Sequence, residues 1–379
     1  MFFFFQYLFF FSTFVRNRTL KTSYKMDQKK LFEQKTSRRT FLKQSAMGLA
    51  MASILPSALT SCASGESAAP ANSTGINSNF HGVKIGCITY SWRSMPANTV
   101  EEIIDYCKQA NMGSLELMSG DLERVLGVPE NPQQRIMAEL RAKMPAPKPG
   151  ERPNFQMTPE QQAEIAKYNE DLKAWRVNMD MAKVEAVRKK FNDAGIEIHI
   201  VKFSPSKWSD EEIEYACKVT KAMGAKAITE EISVEAAQRM APFVEKHGLY
   251  MAFHNHNQYG EEGFSCDPVL AVSPNMMLNF DCGHYFGSTG KNPAEFIKKY
   301  HERIYSIHLK DKTGKNTEPA NTNQVWGQGE TPLKEVLNLL KDQKWPIYCD
   351  IELEYDIKPW SNAVKELGVC VRHARELLM

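Results

Sequence analysis

The chain has no strong excess of either charge. Its 47 lysine and arginine residues are nearly balanced by 45 aspartate and glutamate residues, which leaves a formal net charge of +2 over 379 residues. Proteins that bind nucleic acid usually carry a clear basic excess, so we expect no nucleic-acid partner. Hydrophobic residues make up 42% of the chain and charged residues 24%, which is the composition of an ordinary globular protein.

Two common sequence signatures are also missing. None of the eight cysteines forms a CxxC pair, so we expect no cysteine-ligated zinc site and interpret most of the cysteines as small buried hydrophobic residues. The chain contains no GxGxxG turn, which gives no support to a nucleotide-binding open sheet. The apolar run at residues 1–15 is short for a membrane span. We interpret it as lying ahead of the true start at Met26, with an additional membrane segment as the alternative.

The region before residue 81 carries an export signal. Residues 37–43 read Ser-Arg-Arg-Thr-Phe-Leu-Lys, a twin-arginine motif, and a mildly apolar stretch then leads to Leu-Thr-Ser-Cys ending at Cys62. This order predicts a leader over residues 1–61, lipidation of Cys62 and a flexible tether over residues 62–80. The alternative is an internal amphipathic helix with a chance arginine pair. We therefore expect a lipoprotein exported by the twin-arginine route and anchored on the periplasmic side of a membrane.

Short apolar runs alternate with amphipathic segments over residues 81–379. The candidate strands are Val83–Tyr90, Ser114–Leu117, Glu197–Phe203, Ala225–Thr229, Leu249–Phe253, Met276–Phe280, Ile304–His308 and Pro346–Ile351. The candidate helices are Thr99–Ala110, Asp210–Met223, Val234–Lys246, Pro293–His301, Pro332–Asp342 and Pro359–Leu378. Eight such repeats predict an α/β fold, a single (β/α)8 TIM barrel over residues 81–379, and an open doubly wound sheet is the alternative.

One segment interrupts the alternation of strands and helices. Residues 119–180 lie between the second and third strands, and they include a proline-rich stretch and the start of a long charged helix, Pro159–Asn192. We interpret the segment as an insertion after the second strand, at the catalytic face of the barrel. It is either a lid, a contact between copies in a homo-oligomer, or a solvated excursion without function.

Ionisable side chains follow the ends of four successive predicted strands. They are His254 and His256, then Asp281 and His284, then His308 and Lys310, and finally Glu352 and Glu354. The carboxyl ends of parallel barrel strands open on one mouth, where TIM-barrel active sites lie. Carboxylate and imidazole without thiolate suit Mn²⁺, Co²⁺, Zn²⁺, Fe²⁺ or Mg²⁺, so the sequence predicts one divalent metal there. Such a metal would polarise a carbonyl beside which a proton is removed.

Several side chains have more than one interpretation. Glu230 and Glu231 end the fourth strand, and only one of them should point inward because neighbouring strand residues face opposite ways. His254 and His256 share one face and are candidates for metal or substrate contact. Three further residues lie near predicted loop ends, where they either line a sugar pocket or simply pack: Trp92, Arg93 and Trp326.

Residues from about 83 to the end resemble the sugar phosphate isomerase/epimerase-like family of xylose isomerase-type barrels. The matching pieces are Tyr90-Ser91-Trp92-Arg93, Leu115-Glu116-Leu117, His254-Asn255-His256, Asp281-Cys282-Gly283-His284, His308-Leu309-Lys310-Asp311, Trp326-Gly327-Gln328-Gly329 and Glu352-Leu353-Glu354. The resemblance implies a TIM barrel that acts on a carbohydrate. It also implies a metal held by a Glu, Asp, His and Glu set from the later strands.

Three residues match that ligand set: Asp281, His308 and Glu352. The position of the first Glu is occupied by His254, so the fourth ligand is either His254 itself or Glu231, one strand earlier. We assign candidate catalytic roles to Glu231, His256, Lys310 and Glu352. Candidate substrate contacts are Trp92, Arg93, His284 and Trp326.

The expected function is a metal-dependent carbohydrate isomerase or epimerase that abstracts a proton next to a carbonyl of a free sugar. The histidine in place of the first Glu leaves room for a lyase or dehydratase that eliminates from a keto-sugar or a 3-keto-glycoside. A second alternative is a non-catalytic sugar-binding lipoprotein.

Overall fold

Eight parallel strands form a closed barrel in the computed structural model, which describes residues 75–143 and 155–379. The strands are β1 (Val83–Ile88), β2 (Ser114–Met118), β3 (Glu197–Lys202), β4 (Ala227–Glu231), β5 (Tyr250–His254), β6 (Met276–Asp281), β7 (Ile304–Leu309) and β8 (Tyr348–Ile351). Each strand pairs with the next, β8 returns to β1, and the pairing of Cys87 with Leu115 joins β1 to β2. The predicted TIM barrel and its eight strands are therefore confirmed.

Helices surround the barrel. They are α1 (Val100–Ala110), α2 (Ser119–Val125), α3 (Gln133–Ala142), α4 (Pro159–Val177), α5 (Met181–Asp193), α6 (Asp210–Ala222), α7 (Val234–His247), α8 (Asp267–Leu270), α9 (Cys282–Thr289), α10 (Pro293–Tyr300), α11 (Leu333–Gln343) and α12 (Ala363–Leu378). Their starts follow local capping chemistry: Thr99 and Glu102 form a capping box at α1, and Asn362 caps α12.

The helix predictions need correction in two respects. The long helix expected over Pro159–Asn192 is two helices, because Asn178 ends α4 and the Asp180 side chain caps the start of α5 by accepting a hydrogen bond from the Ala182 backbone. Helices α2, α3, α8 and α9 have no counterpart among the predicted helices. Helix α9 starts directly after β6, and its sequence, Cys-Gly-His-Tyr-Phe-Gly-Ser-Thr, holds two glycines and few strong helix formers.

An ion-pair cluster around Arg176 joins two helices of the insertion to each other and to helix α6. The Arg176 guanidinium at the end of α4 donates to both carboxylate oxygens of Glu123 on α2, at 2.8 and 3.1 Å. It also donates to Glu212 of α6 at 3.2 Å and lies 3.8 Å above the ring of Trp208. The guanidinium of Arg176 therefore joins helices α2, α4 and α6. Residues 144–154 of the insertion lie outside the described residues, and its role as a lid or oligomer contact stays a prediction.

The barrel interior contains two layers of buried polar side chains. Near the amino ends of the strands, the ring of His199 bonds Ser114 Oγ at 2.9 Å and Asp350 Oδ2 at 2.8 Å. The ring also stacks on Tyr348 with the centroids 4.1 Å apart. The second layer lies towards the carboxyl ends of the strands and contains Glu116, Thr229, Asn279 and His308, all buried.

Residues 75–80 correct the predicted boundary of the tether. Ile76 is buried, and the short strand Asn79–Phe80 pairs antiparallel with the first residues of β1. Residues 75–80 therefore belong to the packed domain. The leader, Cys62 and the rest of the tether lie outside the described residues. The seven cysteines after Cys62 are buried free thiols, as expected. Among the described helices, none is long and apolar enough to cross a bilayer.

Candidate metal centre at the barrel mouth

Four buried side chains from successive strands meet at the carboxyl ends of the strands. His254 ends β5, Asp281 ends β6, His308 lies near the end of β7, and Glu352 follows β8 directly. One donor atom of each lies within 4.8 Å of the other three. The strands bring them together because Asp281 and His308 are register partners, and parallel strands end at the same edge of the barrel. We call these four residues the ligand group.

The separations within the ligand group suit a single cation. His254 Nε2 lies 3.5 Å from Asp281 Oδ2 and 4.0 Å from Glu352 Oε2. His308 Nδ1 lies 4.0 Å from Asp281 Oδ2 and 2.8 Å from Glu352 Oε2. Ligands about 2.1 Å from one tetrahedral ion lie roughly 3.4 Å apart. Moreover, neither ring nitrogen of the buried His254 has a hydrogen-bond partner among the described residues. The residues present therefore fit a divalent metal.

Glu231 lies on the far side of His254 from the rest of the ligand group. Its Oε2 bonds His256 Nδ1 at 2.9 Å, and its Oε1 lies 3.6 Å from His254 Nδ1. Burial opposes ionisation, but the nearby His254 and the hydrogen bond from His256 hold the pKa of Glu231 well below its ordinary value. The geometry thus groups His254, rather than Glu231, with Asp281, His308 and Glu352. Glu231 instead joins His254 and His256 in a second cluster.

Lys310 places an ammonium between the carboxylates of the mouth. Its Nζ lies 2.9 Å from Asp281 Oδ2, 3.0 Å from Glu352 Oε2 and 2.7 Å from Glu354 Oε2, and the side chain is 2% exposed. Burial disfavours the charge, yet these three carboxylates raise the pKa of Lys310 well above its ordinary value. Lys310 therefore carries a fixed positive charge between these carboxylates.

Three histidines of the mouth differ in their protonation. Burial lowers the pKa of His308, but Glu116 and Glu352 outweigh it and raise that pKa to about 10. His256 is partly exposed, and although burial opposes protonation, its bond to Glu231 raises its pKa. Burial and the neighbouring Lys310 lower the pKa of His284 to about 4, so His284 is neutral at physiological pH. Its Nε2 accepts from Lys310 Nζ at 2.8 Å.

The structure does not place Trp92 or Trp326 at the mouth. Trp92 is 1% exposed, and its ring packs edge-on against Tyr106 of α1, because the short turn after β1 directs it into the helix layer. Trp326 is buried edge-on against His373 of α12. We therefore correct both substrate-contact predictions to packing, the alternative left open for them.

Arg93 lies at the rim, where its Nη1 donates to the backbone oxygen of Leu353 at 2.7 Å. Its guanidinium also lies 4.4 Å above the ring of Tyr90. Arg93 thus holds the loop after β8, which carries Glu354.

Sequence reasoning assigned no site role to Glu116, although its Leu115-Glu116-Leu117 segment was among the matching pieces. Its side chain is fully buried on β2, and Oε2 bonds His308 Nε2 at 2.8 Å. The available signal was a lone carboxylate inside the apolar run Leu115-Glu116-Leu117, since an acidic residue is almost never fully buried without a partner. What the sequence could not show is which residue that partner would be.

A closed parallel barrel with this donor set at its mouth defines the class of xylose isomerase-type barrels. The chain belongs to the xylose isomerase-like TIM barrel family, whose model matches residues 161–371, more than half of its length. This membership supports the prediction of an enzyme of the sugar isomerase/epimerase-like type.

The curated relatives are more distant. The chain is 28% identical over 137 residues to an inosose dehydratase of Clostridium botulinum (strain Alaska E43 / Type E3), covering 31% of this chain and 46% of that protein. It is 25% identical over 153 residues to an inosose dehydratase of Clostridium perfringens (strain 13 / Type A), covering 35% of this chain and 50% of that protein. The chain therefore spans about half the length of the curated relatives it matches.

Solved structures share the fold. A sugar phosphate isomerase/epimerase from Parabacteroides distasonis ATCC 8503 superimposes with a TM-score of 0.50 at 14% identity, covering 82% of this chain and all of that one. A xylose isomerase domain protein from Alicyclobacillus acidocaldarius gives a TM-score of 0.50 at 11% identity, covering 78% of this chain and 98% of that one. At such identities the likeness shows the barrel architecture alone.

Proposed function

We propose that this protein is a metal-dependent enzyme that removes a proton next to a carbonyl of a carbohydrate, as an isomerase or epimerase. The observation that carries the proposal is the ligand group, in which His254, Asp281, His308 and Glu352 converge at the barrel mouth. A divalent metal such as Mn²⁺, Co²⁺, Zn²⁺, Fe²⁺ or Mg²⁺ held there would polarise a carbonyl oxygen and stabilise the enediolate.

The chain supplies its own proton-transfer groups beside the ligand group. His256 and Glu231 form a hydrogen-bonded pair at 2.9 Å, and both side chains are partly exposed at the mouth. The carboxylate orients the ring and stabilises its protonated form, which is the arrangement that general acid–base catalysis needs. We assign the transferred proton to His256, with Glu231 as the group that orients it.

Lys310 has a different task. Because three carboxylates hold its ammonium in place, Lys310 stays protonated and presents a positive charge to oxygens bound near Asp281 and Glu352. Such a fixed charge stabilises negative charge that develops on a substrate oxygen. His284, neutral and bonded to Lys310, is assigned to substrate contact on the same side.

Dehydration is the second candidate reaction. Its support comes from the curated relatives that are named inosose dehydratases and from Lys310, whose ammonium could hydrogen-bond a departing hydroxyl. Elimination also begins with removal of a proton beside a carbonyl, so it would use His256 and the ligand group in the same way. A non-catalytic sugar-binding protein is the remaining alternative.

The test is hydrogen exchange at carbon. Metal-loaded protein and a panel of keto-sugars and 3-keto-glycosides would be incubated in D₂O and followed by NMR and mass spectrometry. Exchange with a new stereoisomer supports isomerisation, and loss of water supports dehydration. His256→Gln should suppress both. Binding without exchange on any member of the panel would favour the sugar-binding alternative and contradict the enzyme proposal.

We also propose export by the twin-arginine route with lipid anchoring at Cys62. The support is the order of the arginine pair, the apolar stretch and the cysteine in the sequence. Metabolic labelling with a fatty acid should mark the wild type but not Cys62→Ser. Unlabelled wild-type protein would contradict the anchor.

A further inference from the structure

Glu116 lies directly beneath the ligand group, on the opposite side of His308 from the other ligands. Its Oε2 bonds His308 Nε2 at 2.8 Å, whereas the other ring nitrogen, Nδ1, faces Asp281 and Glu352. The contact is fully enclosed, since neither the Glu116 nor the His308 side chain has any solvent exposure.

Hydrogen bonds from neighbouring strand residues fix the orientation of the Glu116 carboxylate. Oε1 accepts from Thr229 Oγ1 at 3.1 Å, and Oε2 accepts from Asn279 Nδ2 at 2.8 Å. Ser306 Oγ donates to Asn279 Oδ1 at 2.7 Å, which turns the amide so that its NH₂ group faces Glu116. These strand residues together hold a negatively charged acceptor under the ring.

The carboxylate decides which nitrogen of His308 carries a hydrogen. A neutral imidazole has one N–H and one lone pair, and a carboxylate accepts but does not donate. In the metal-free ring both nitrogens face a carboxylate at 2.8 Å, Nε2 towards Glu116 and Nδ1 towards Glu352, so both carry hydrogen. Nδ1 is the nitrogen that lies among the other donors of the ligand group. When a cation takes Nδ1, the hydrogen that remains on the ring is the one on Nε2, facing Glu116.

We propose that Glu116 is a positioning residue that fixes the proton of His308 on Nε2 and so reserves Nδ1 for a metal. The inference rests on the proposed function only for the identity of the bound group, a divalent cation. Residues that orient metal-ligating histidines in this way typically contribute about 10- to 100-fold to metal affinity.

The barrel offers a matched control in Asp350. This residue is also a fully buried carboxylate bonded to a histidine at 2.8 Å, but its partner His199 lies outside the ligand group. Glu116→Gln and Asp350→Asn each replace one carboxylate oxygen by an amide nitrogen in the barrel interior. A general loss of packing would therefore affect both variants alike.

The experiment measures the affinity of the metal-free full chain for Co²⁺ and Zn²⁺ by competition with a chromophoric chelator. It also records the tautomer of His308 by ¹⁵N NMR in the cation-loaded state. Glu116→Gln should weaken binding about 10- to 100-fold, and Asp350→Asn should leave it within a few-fold of wild type. The wild-type ring should show hydrogen on Nε2. If Glu116→Gln does not fold, Glu116→Asp, which withdraws the carboxylate by one methylene, tests the same contact.

Three results would overturn the inference: unchanged affinity in Glu116→Gln, an equal loss in Asp350→Asn, or a wild-type chain that binds no divalent cation. The proposed function fails separately. A chain that binds metal in a Glu116-dependent manner but exchanges no carbon-bound hydrogen would retain this inference and lose the enzyme assignment.

Discussion

The barrel encloses two buried clusters of histidine and carboxylate that differ in how completely their imidazole rings are paired. At the amino ends of the strands, both ring nitrogens of His199 have partners, Ser114 and Asp350, although Asp350 Oδ1 has no hydrogen-bond partner among the described residues. At the mouth, both ring nitrogens of His254 lack such a partner. Buried polar groups are normally satisfied. The paired ring of His199 therefore indicates a structural role, and the unpaired ring of His254 indicates a site that takes a ligand.

The largest difference between the two clusters is expected when a residue of the ligand group at the mouth is removed. Asp281→Asn should lower turnover by about a thousandfold or more, because a bound metal contributes several kcal/mol to such a reaction. Metal content by elemental analysis and kcat with an identified substrate check this. A variant that keeps full metal content would remove Asp281 from the site.

The ion-pair cluster of Arg176, outside the barrel interior, should behave as a structural element. Arg176→Met leaves the buried Glu123 and the partly buried Glu212 without their cationic partner, and breaking a buried ion pair costs about 3–5 kcal/mol. Denaturant unfolding measures the loss, and metal affinity should not change. The matched control is Arg135→Met, whose pairs with Glu139 and Glu164 are exposed. It should cost no more than about 1 kcal/mol.

Within the barrel, Asp350→Asn should lower the free energy of unfolding by about 1–3 kcal/mol, because a buried hydrogen bond to His199 is weakened. Chemical denaturation of the metal-free chain gives the value. Stability equal to wild type would mean that the hydrogen bond between Asp350 and His199 contributes little. Hydrogen-bond pairing of a buried ring would then not be enough to identify a structural role.

The metal affinity of the site should depend on pH. Burial opposes the charge on His308, but Glu116 and Glu352 raise the pKa of its ring to about 10, so the metal-free site holds a proton that a metal must displace from Nδ1. Metal affinity should therefore rise with pH, by about tenfold per unit below that pKa. Calorimetry in buffers of different ionisation enthalpy counts the released proton. Affinity independent of pH between 6 and 8 would contradict the exchange.

Periodicity in the sequence predicted all eight strands because apolar strand runs and turn residues are local signals. The break between α4 and α5 was also local, at Asn178 and Asp180, but the charged helix pattern on either side obscured it. Helix α9 was missed because it depends on Asp281, a residue that both caps the helix and belongs to the ligand group.

The candidate site was only partly accessible to sequence reasoning. Strand ends pointed to Asp281, His308 and Glu352, since parallel strands end at one edge. The sequence left open whether His254 or Glu231 is the fourth residue of the ligand group. The answer depends on which side of the His254 ring the Glu231 carboxylate occupies, and the packing between β4 and β5 sets that side. The contact of Glu116 with His308 could not be predicted because the two residues are nearly two hundred positions apart in the chain.

Lys310 gives the mouth a resident counterion. Its ammonium offsets part of the negative charge of Asp281, Glu352 and Glu354, which stabilises the metal-free barrel. A metal then competes with this ammonium for Asp281 and Glu352, and the measured affinity is net of that competition. We expect Lys310→Met to bind metal more tightly than wild type while its metal-free form unfolds more readily. Lys310 thus lowers the metal affinity of the site and stabilises the metal-free fold.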